Sequence, residues 1–104
     1  MKILEITLEN PIKHTEIIRL KSEIETGRNY HFLLIDTGKH EFISLDVIKY
    51  FREQMQSMET HLLTFEKIAL IHPQEYRNES SDPERYNYFT SRVEAKEWFL
   101  NQTK

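Results

Sequence analysis

The chain has 104 residues with 14 Lys+Arg, 17 Asp+Glu and no Cys, so it is sized for one domain and carries a formal net charge of −3. Without a basic surplus it is ill suited to living by duplex phosphate contacts, and without Cys it has no disulfide frame, no thiolate metal site and no thiol nucleophile. No run approaches the roughly 18 apolar residues of a membrane span, and Met1-Lys2-Ile3-Leu4-Glu5 is too charged for a signal peptide, so the expectation is a cytoplasmic protein with no membrane span.

Lys2 to Leu8 alternates, with Leu4, Ile6 and Leu8 on one face and Glu5 and Thr7 on the other, which predicts a half-buried strand. Asn10-Pro11 turns the chain. From Thr15 the period changes: Ile17, Leu20 and Ile24 share one side while Glu16, Arg19 and Glu23 face away, an amphipathic helix that Gly27 is placed to end. Tyr30-His31-Phe32-Leu33-Leu34-Ile35 is a near-continuous apolar run closing on Asp36, the pattern of a central strand buried on both faces. Thr37-Gly38 opens a loop, and Ser44 is a plausible N-cap for a second helix whose inner stripe is Val47, Ile48, Phe51, Met55 and Met58. Lys67-Ile68-Ala69-Leu70-Ile71 predicts a third strand stopped by Pro73. Gln74 to Arg85 is polar and reads as an exposed loop. Tyr86-Asn87-Tyr88-Phe89 predicts a brief aromatic strand, and Ser91 with Glu94 three residues on forms the capping-box signature of a last helix with Ala95, Trp98 and Phe99 inside. The order β-α-β-α-β-loop-β-α predicts a single α/β domain over residues 1–104, with an about four-stranded, mostly parallel or mixed sheet and three main covering helices.

Three stretches together resemble the STAS/SpoIIAA-like superfamily, the small α/β domains related to bacterial anti-sigma-factor antagonists. They are Phe32-Leu33-Leu34-Ile35-Asp36, Phe42-Ile43-Ser44 leading into a helix, and the strand Lys67–Ile71 followed by an aromatic strand and Ser91-Arg92-Val93-Glu94-Ala95-Lys96-Glu97-Trp98-Phe99-Leu100. The likeness covers about residues 30–101. It implies a regulatory, non-enzymatic module that binds a protein partner. The chain departs from the family's pattern in three places. One N-terminal strand is readable instead of a hairpin. The segment before the fourth strand is short and polar. Ile43-Ser44-Leu45-Asp46 stands where antagonists carry an Asp-Ser-Ser/Thr-Gly phosphoacceptor motif.

The candidate chemistry is sparse. A phosphate on Ser44 would sit on a helix N-terminus, where free N–H groups and the dipole favour negative charge; the plainer role is a cap. Asp36, His40 and Glu41 lie at the mouth of the predicted central strand, where ligands of open α/β sheets tend to bind. Asp36 and His40 could pair as acid and base, or form a crude triad with Ser44, but there is no Gly-x-Ser-x-Gly elbow. His14, His31, His40, His61 and His72 show no metal-ligand spacing, so neither a metal nor another cofactor is expected. Tyr76, Tyr86, Tyr88, Phe89, Trp98 and Phe99 crowd the C-terminal third, either as core or as a ligand or partner surface. Tyr86 and Tyr88 alternate with Asn87 and Phe89, so one pair must face outward or toward a partner.

The leading functional expectation is a cytosolic bacterial regulatory module of the STAS-like type, free of nucleic acid and able to form a homodimer through the aromatic edge or the last helix. A second expectation is a carrier of a small apolar ligand, as relatives grouped with the lipid-binding SEC14 class suggest, with a closed pocket among Ile48, Phe51, Phe89 and Phe99. A third is a small enzyme using Asp36 and His40.

Overall fold

Phe32, Leu33, Leu34 and Ile35 are all buried, so this strand has no side to offer water. The computed structural model, which describes residues 2–73 and 84–101, covers it on both faces. In chain order the elements are β1 (Ile3–Thr7), α1 (His14–Thr26), β2 (Phe32–Asp36), α2 (Leu45–Ser57), α3 (Glu59–Leu62), β3 (Lys67–Ile71), β4 (Tyr86–Phe89) and α4 (Arg92–Leu100). Among the described residues the sheet has four strands in the order β1-β2-β3-β4, and every pair is parallel. The fully parallel arrangement settles the choice between a parallel and a mixed sheet.

Strand alternation sends successive side chains to opposite faces. Leu33, Ile35, Ile68 and Leu70 join Ile17, Leu20 and Ile24 of α1 and Val47 of α2 in the larger core. Phe32, Leu34, Ala69 and Ile71 meet Ala95 and Phe99 of α4 in the smaller one. Phe32 and Phe99 stack with ring centroids 4.7 Å apart and planes inclined by 5°. Alpha 4 is fixed at both ends. Arg92 pairs with Glu5 at 2.9 Å and with Asp36 at 3.0 Å and also bonds the Thr7 hydroxyl. At the C-terminus the Lys67 ammonium donates to the carbonyls of Trp98 (2.9 Å) and Asn101 (3.3 Å), where the helix dipole favours a cation.

The structure corrects the sequence expectations at three points and adds detail at a fourth. A fourth, one-turn helix, α3, follows α2 after Met58, whose backbone leaves the helical region at φ −98° and ψ 10°; no Gly or Pro marks that break. Gly27 ends α1 as expected, though at φ −66° and not in the left-handed region, which Asn29 takes instead. Space is tight at this glycine: a Cβ would lie 3.1 Å from Leu4 Cδ2 and 3.3 Å from the Glu23 carbonyl oxygen. At α4 the Ser91 hydroxyl accepts from the Glu94 N–H at 3.2 Å, but the Glu94 carboxylate accepts from the Thr90 hydroxyl, so only half of the capping box forms. Arg85 is not simply solvated: it donates to the carbonyls of Leu62 (2.7 Å) and Phe65 (3.2 Å). The rest of the predicted polar loop, 74–83, and with it Tyr76, lies outside the described residues.

The Phe32–Phe99 stack joins α4 to the centre of the sheet, and both rings are fully buried. Phe99→Ala is expected to lower unfolding free energy by about 3–5 kcal/mol, measured by urea denaturation, because truncation both removes buried area and leaves a cavity.

Candidate functional site

The connection from β2 to α2 is held by two short side chains, those of Asp36 and Asn10. The Asp36 carboxylate accepts from the Gly38 N–H at 2.9 Å. Asn10 reaches across from the β1–α1 turn, donating to the Thr37 carbonyl at 2.9 Å and accepting from the Glu41 N–H at 2.8 Å. Gly38 sits at φ +65°, and a Cβ there would fall 2.5 Å from the Asn10 side-chain nitrogen. Glycine is therefore required twice, by conformation and by the close approach of the clamp. Just beyond, an isolated parallel bridge pairs Ile12 with Phe42. His40, between these anchors, is held at φ +59°, a conformation uncommon for a residue with a side chain.

Held this way, the loop delivers His40 and Phe42 to one end of a cleft between α2 and β4. The cleft has a volume of about 350 Å³. Ile48, Phe51 and Met55 form its helix wall, Tyr86 and Tyr88 its strand wall, and Leu70 of β3 lies between them. The Phe42 and Phe51 rings are 5.7 Å apart, and Tyr86 meets Tyr88 edge-on at 5.6 Å. Burial, joined by the neighbouring Tyr88, raises the Tyr86 hydroxyl well above the ordinary tyrosine range, so it stays protonated. Arg52 and Gln56 add polar groups to the lining.

Behind the loop end of the cleft lies a chain of hydrogen bonds that fixes two imidazoles. The buried Thr37 hydroxyl donates to the Ile71 carbonyl at 2.7 Å. With its proton so used, its oxygen accepts, and His40 Nδ1 at 3.1 Å must be the donor. His72 follows the end of β3 and is on Leu70's side of the strand by alternation. Its Nδ1 is 2.8 Å from the Pro73 carbonyl oxygen, which can only accept, so this nitrogen also carries the proton. The His40 and His72 ring centroids are 5.7 Å apart, and His72 meets Tyr88 at 5.3 Å. Burial first, and the neighbouring His72 second, lower the His40 pKa below 6.5.

The sheet separates the residues whose chemistry was considered together. Asp36 belongs to the α4 face, where Arg92 holds its carboxylate, whereas His40 belongs to the α2 face. The acid–base pair and the triad are thus not assembled. Ser44 caps α2, accepting from the Val47 N–H at 3.4 Å, between the exposed Ile43 and Leu45. The predicted aromatic surface is split in the same way. Tyr86 and Tyr88 line the cleft, while Trp98 packs against Phe89 at 5.4 Å on the other face, with the Lys67 ammonium 4.9 Å from its ring. For that reason Ile48 and Phe51 share no pocket with Phe89 and the fully buried Phe99. Among the described residues no three His, Asp or Glu side chains gather to hold a metal ion, and no helix is long and apolar enough to cross a membrane.

Sequence reasoning did not single out Thr37, Asn10 or the pairing of His40 with His72. A partial signal existed for His72: it continues the alternation of Ile68 and Leu70, so its ring had to fall on their face. Asn10 carried none, since its partners are 27 and 31 residues away.

Gly38→Ala is expected to destabilise the protein by about 1–3 kcal/mol in urea denaturation, because the substitution strains the backbone and displaces the Asn10 clamp. His40 makes a pH-dependent contribution with a defined sign. Its folded pKa lies below 6.5, so the unfolded state takes up the proton first. The stability tied to the neutral ring is present above the unfolded value and is lost as pH falls through it toward the folded one. Between about pH 7.5 and about pH 5, the fall in thermal midpoint should be smaller for His40→Gln than for the natural chain.

Comparison of the chain with protein-family models, with curated proteins and with solved structures found no match in any of the three.

Proposed function

We propose that the chain is a non-enzymatic regulatory module of the STAS/SpoIIAA-like type that works by binding, with the α2–β4 cleft as its working surface. The observation that carries this reading is the half-buried state of Phe42, Ile48, Phe51, Met55, Tyr86 and Tyr88 around one opening. In a chain with only 38% hydrophobic residues, leaving so much ring and aliphatic surface uncovered forgoes burial that a small domain needs. The split of Asp36 from His40 across the sheet favours binding over catalysis.

The resemblance makes a bacterial regulatory protein, offering an apolar side chain to the cleft, the leading partner class. A carrier of a small apolar ligand is the second reading, favoured by the cleft volume of about 350 Å³, which is within the range of small-molecule sites. Self-association by strand addition at β4 is disfavoured. Arg85 and Phe89 turn their carbonyls to β3, so the Tyr88 N–H points away from the sheet, and the Asn87 side chain accepts it at 2.8 Å. An edge blunted in this way offers a poorer template for a second strand.

The test is titration with anilinonaphthalene sulfonate, an apolar dye that fluoresces on leaving water. The natural chain should bind it saturably, and Ile48→Trp, which fills the cleft from α2, should weaken binding at least about tenfold at an unchanged thermal midpoint. Equal binding by the variant would remove the cleft from the reading. A specific turnover that dies with Asp36→Ala or His40→Ala would replace binding with catalysis.

A further inference from the structure

Nε2 of His72 is a buried nitrogen with no hydrogen-bond partner among the described residues, in a side chain only 2% exposed. Such a group is costly, since it has lost water and gained nothing. Its chemistry is set by the other ring nitrogen. Because Nδ1 donates to the Pro73 carbonyl, Nε2 of the neutral ring is a lone-pair acceptor. It therefore needs a donor. An anion that carries no donor hydrogen cannot satisfy it.

The His72 ring is one ring away from the cleft. His72 touches Tyr88 and His40, and both of those line the opening. The remaining walls are aromatic, thioether and aliphatic, with Phe42, Phe51 and Met55 nearest in character to what a flat apolar molecule packs against. A volume of about 350 Å³ is near the lower end of small-molecule sites and suits one or two rings.

From this juxtaposition we infer that the cleft takes a small, neutral organic molecule of the phenol or indole class, with its apolar body between α2 and β4 and its single donor, O–H or N–H, received by His72 Nε2. The inference rests on the cleft being the working surface and adds the occupant and its polar anchor. Entry requires the Tyr88 or His40 ring to move aside, and Tyr88 is on the strand that, among the described residues, has a single neighbour in the sheet.

The probes are 4-propylphenol and its methyl ether, 4-propylanisole, which differ in the donor. Binding is followed by NMR titration, with the ¹⁵N signal of His72 Nε2 as reporter. The natural chain should bind the phenol at least about tenfold more tightly than the ether, and the Nε2 signal should move with the phenol alone. His72→Gln, which can offer an amide oxygen, should keep part of that preference. His72→Phe should lose it while still binding the ether. Equal affinity for both probes, with binding still abolished by Ile48→Trp, would overturn the His72 anchor and leave the cleft standing. Failure of both probes to bind would overturn the small-ligand inference. If the dye still binds in that case, the cleft belongs to a protein side chain; if it does not, the reading of the cleft itself has failed.

Discussion

Two adjacent strands, β2 and β3, carry apolar side chains on both of their faces, and neither face can be left to water. This requirement organises everything else. Phe32 and Leu34 need a cover on one side, and Leu33 and Ile35 need one on the other. A single helical layer cannot do both. Helices α1 and α2 therefore lie on one face and α4 on the other, and the ion pairs of Arg92 and the Lys67 cap hold α4 where its Phe99 can stack on Phe32. The ion pairs are part-exposed and individually weak; they orient a helix that apolar burial binds.

The same division decides which side chains can meet. A residue at the end of β2 and one four positions later in the loop are close in sequence but belong to different sides of a wall. Asp36 serves Arg92 and the loop backbone, while His40 turns to Thr37 and the His72 ring. The α2 face collects a strained loop, two imidazoles of fixed tautomer and a set of rings that the domain does not fully bury.

Much of the architecture is legible in the chain because periodicity reports burial directly. The run Phe32–Asp36, the stripe Ile17, Leu20 and Ile24, and the strand Lys67–Ile71 each announce the number of faces they bury. Local signals reach only local partners, which is why Ser44 and Ser91 are readable as caps while α3, with no Gly or Pro at its boundary, is not. The site is less legible because its members are joined across the sheet. The Asn10 clamp, the Thr37–Ile71 bond and the His40–His72 contact link residues more than 25 positions apart. Alternation predicts that Tyr86 and Tyr88 share a face, but only the tertiary arrangement shows that they look toward α2 and that Trp98 is behind them.

The strand order has a consequence of its own. In many open α/β sheets the order reverses partway, neighbouring connections leave toward opposite faces, and a crevice opens between them to receive a ligand. Here the order β1-β2-β3-β4 never reverses among the described strands, so these strands offer no topological switch point above their ends. A hollow has to come from the flank, where an outermost strand and the helix beside it part company. A domain wound this way would change specificity through the helix wall and the last strand, and its strand-end loops would act as supports.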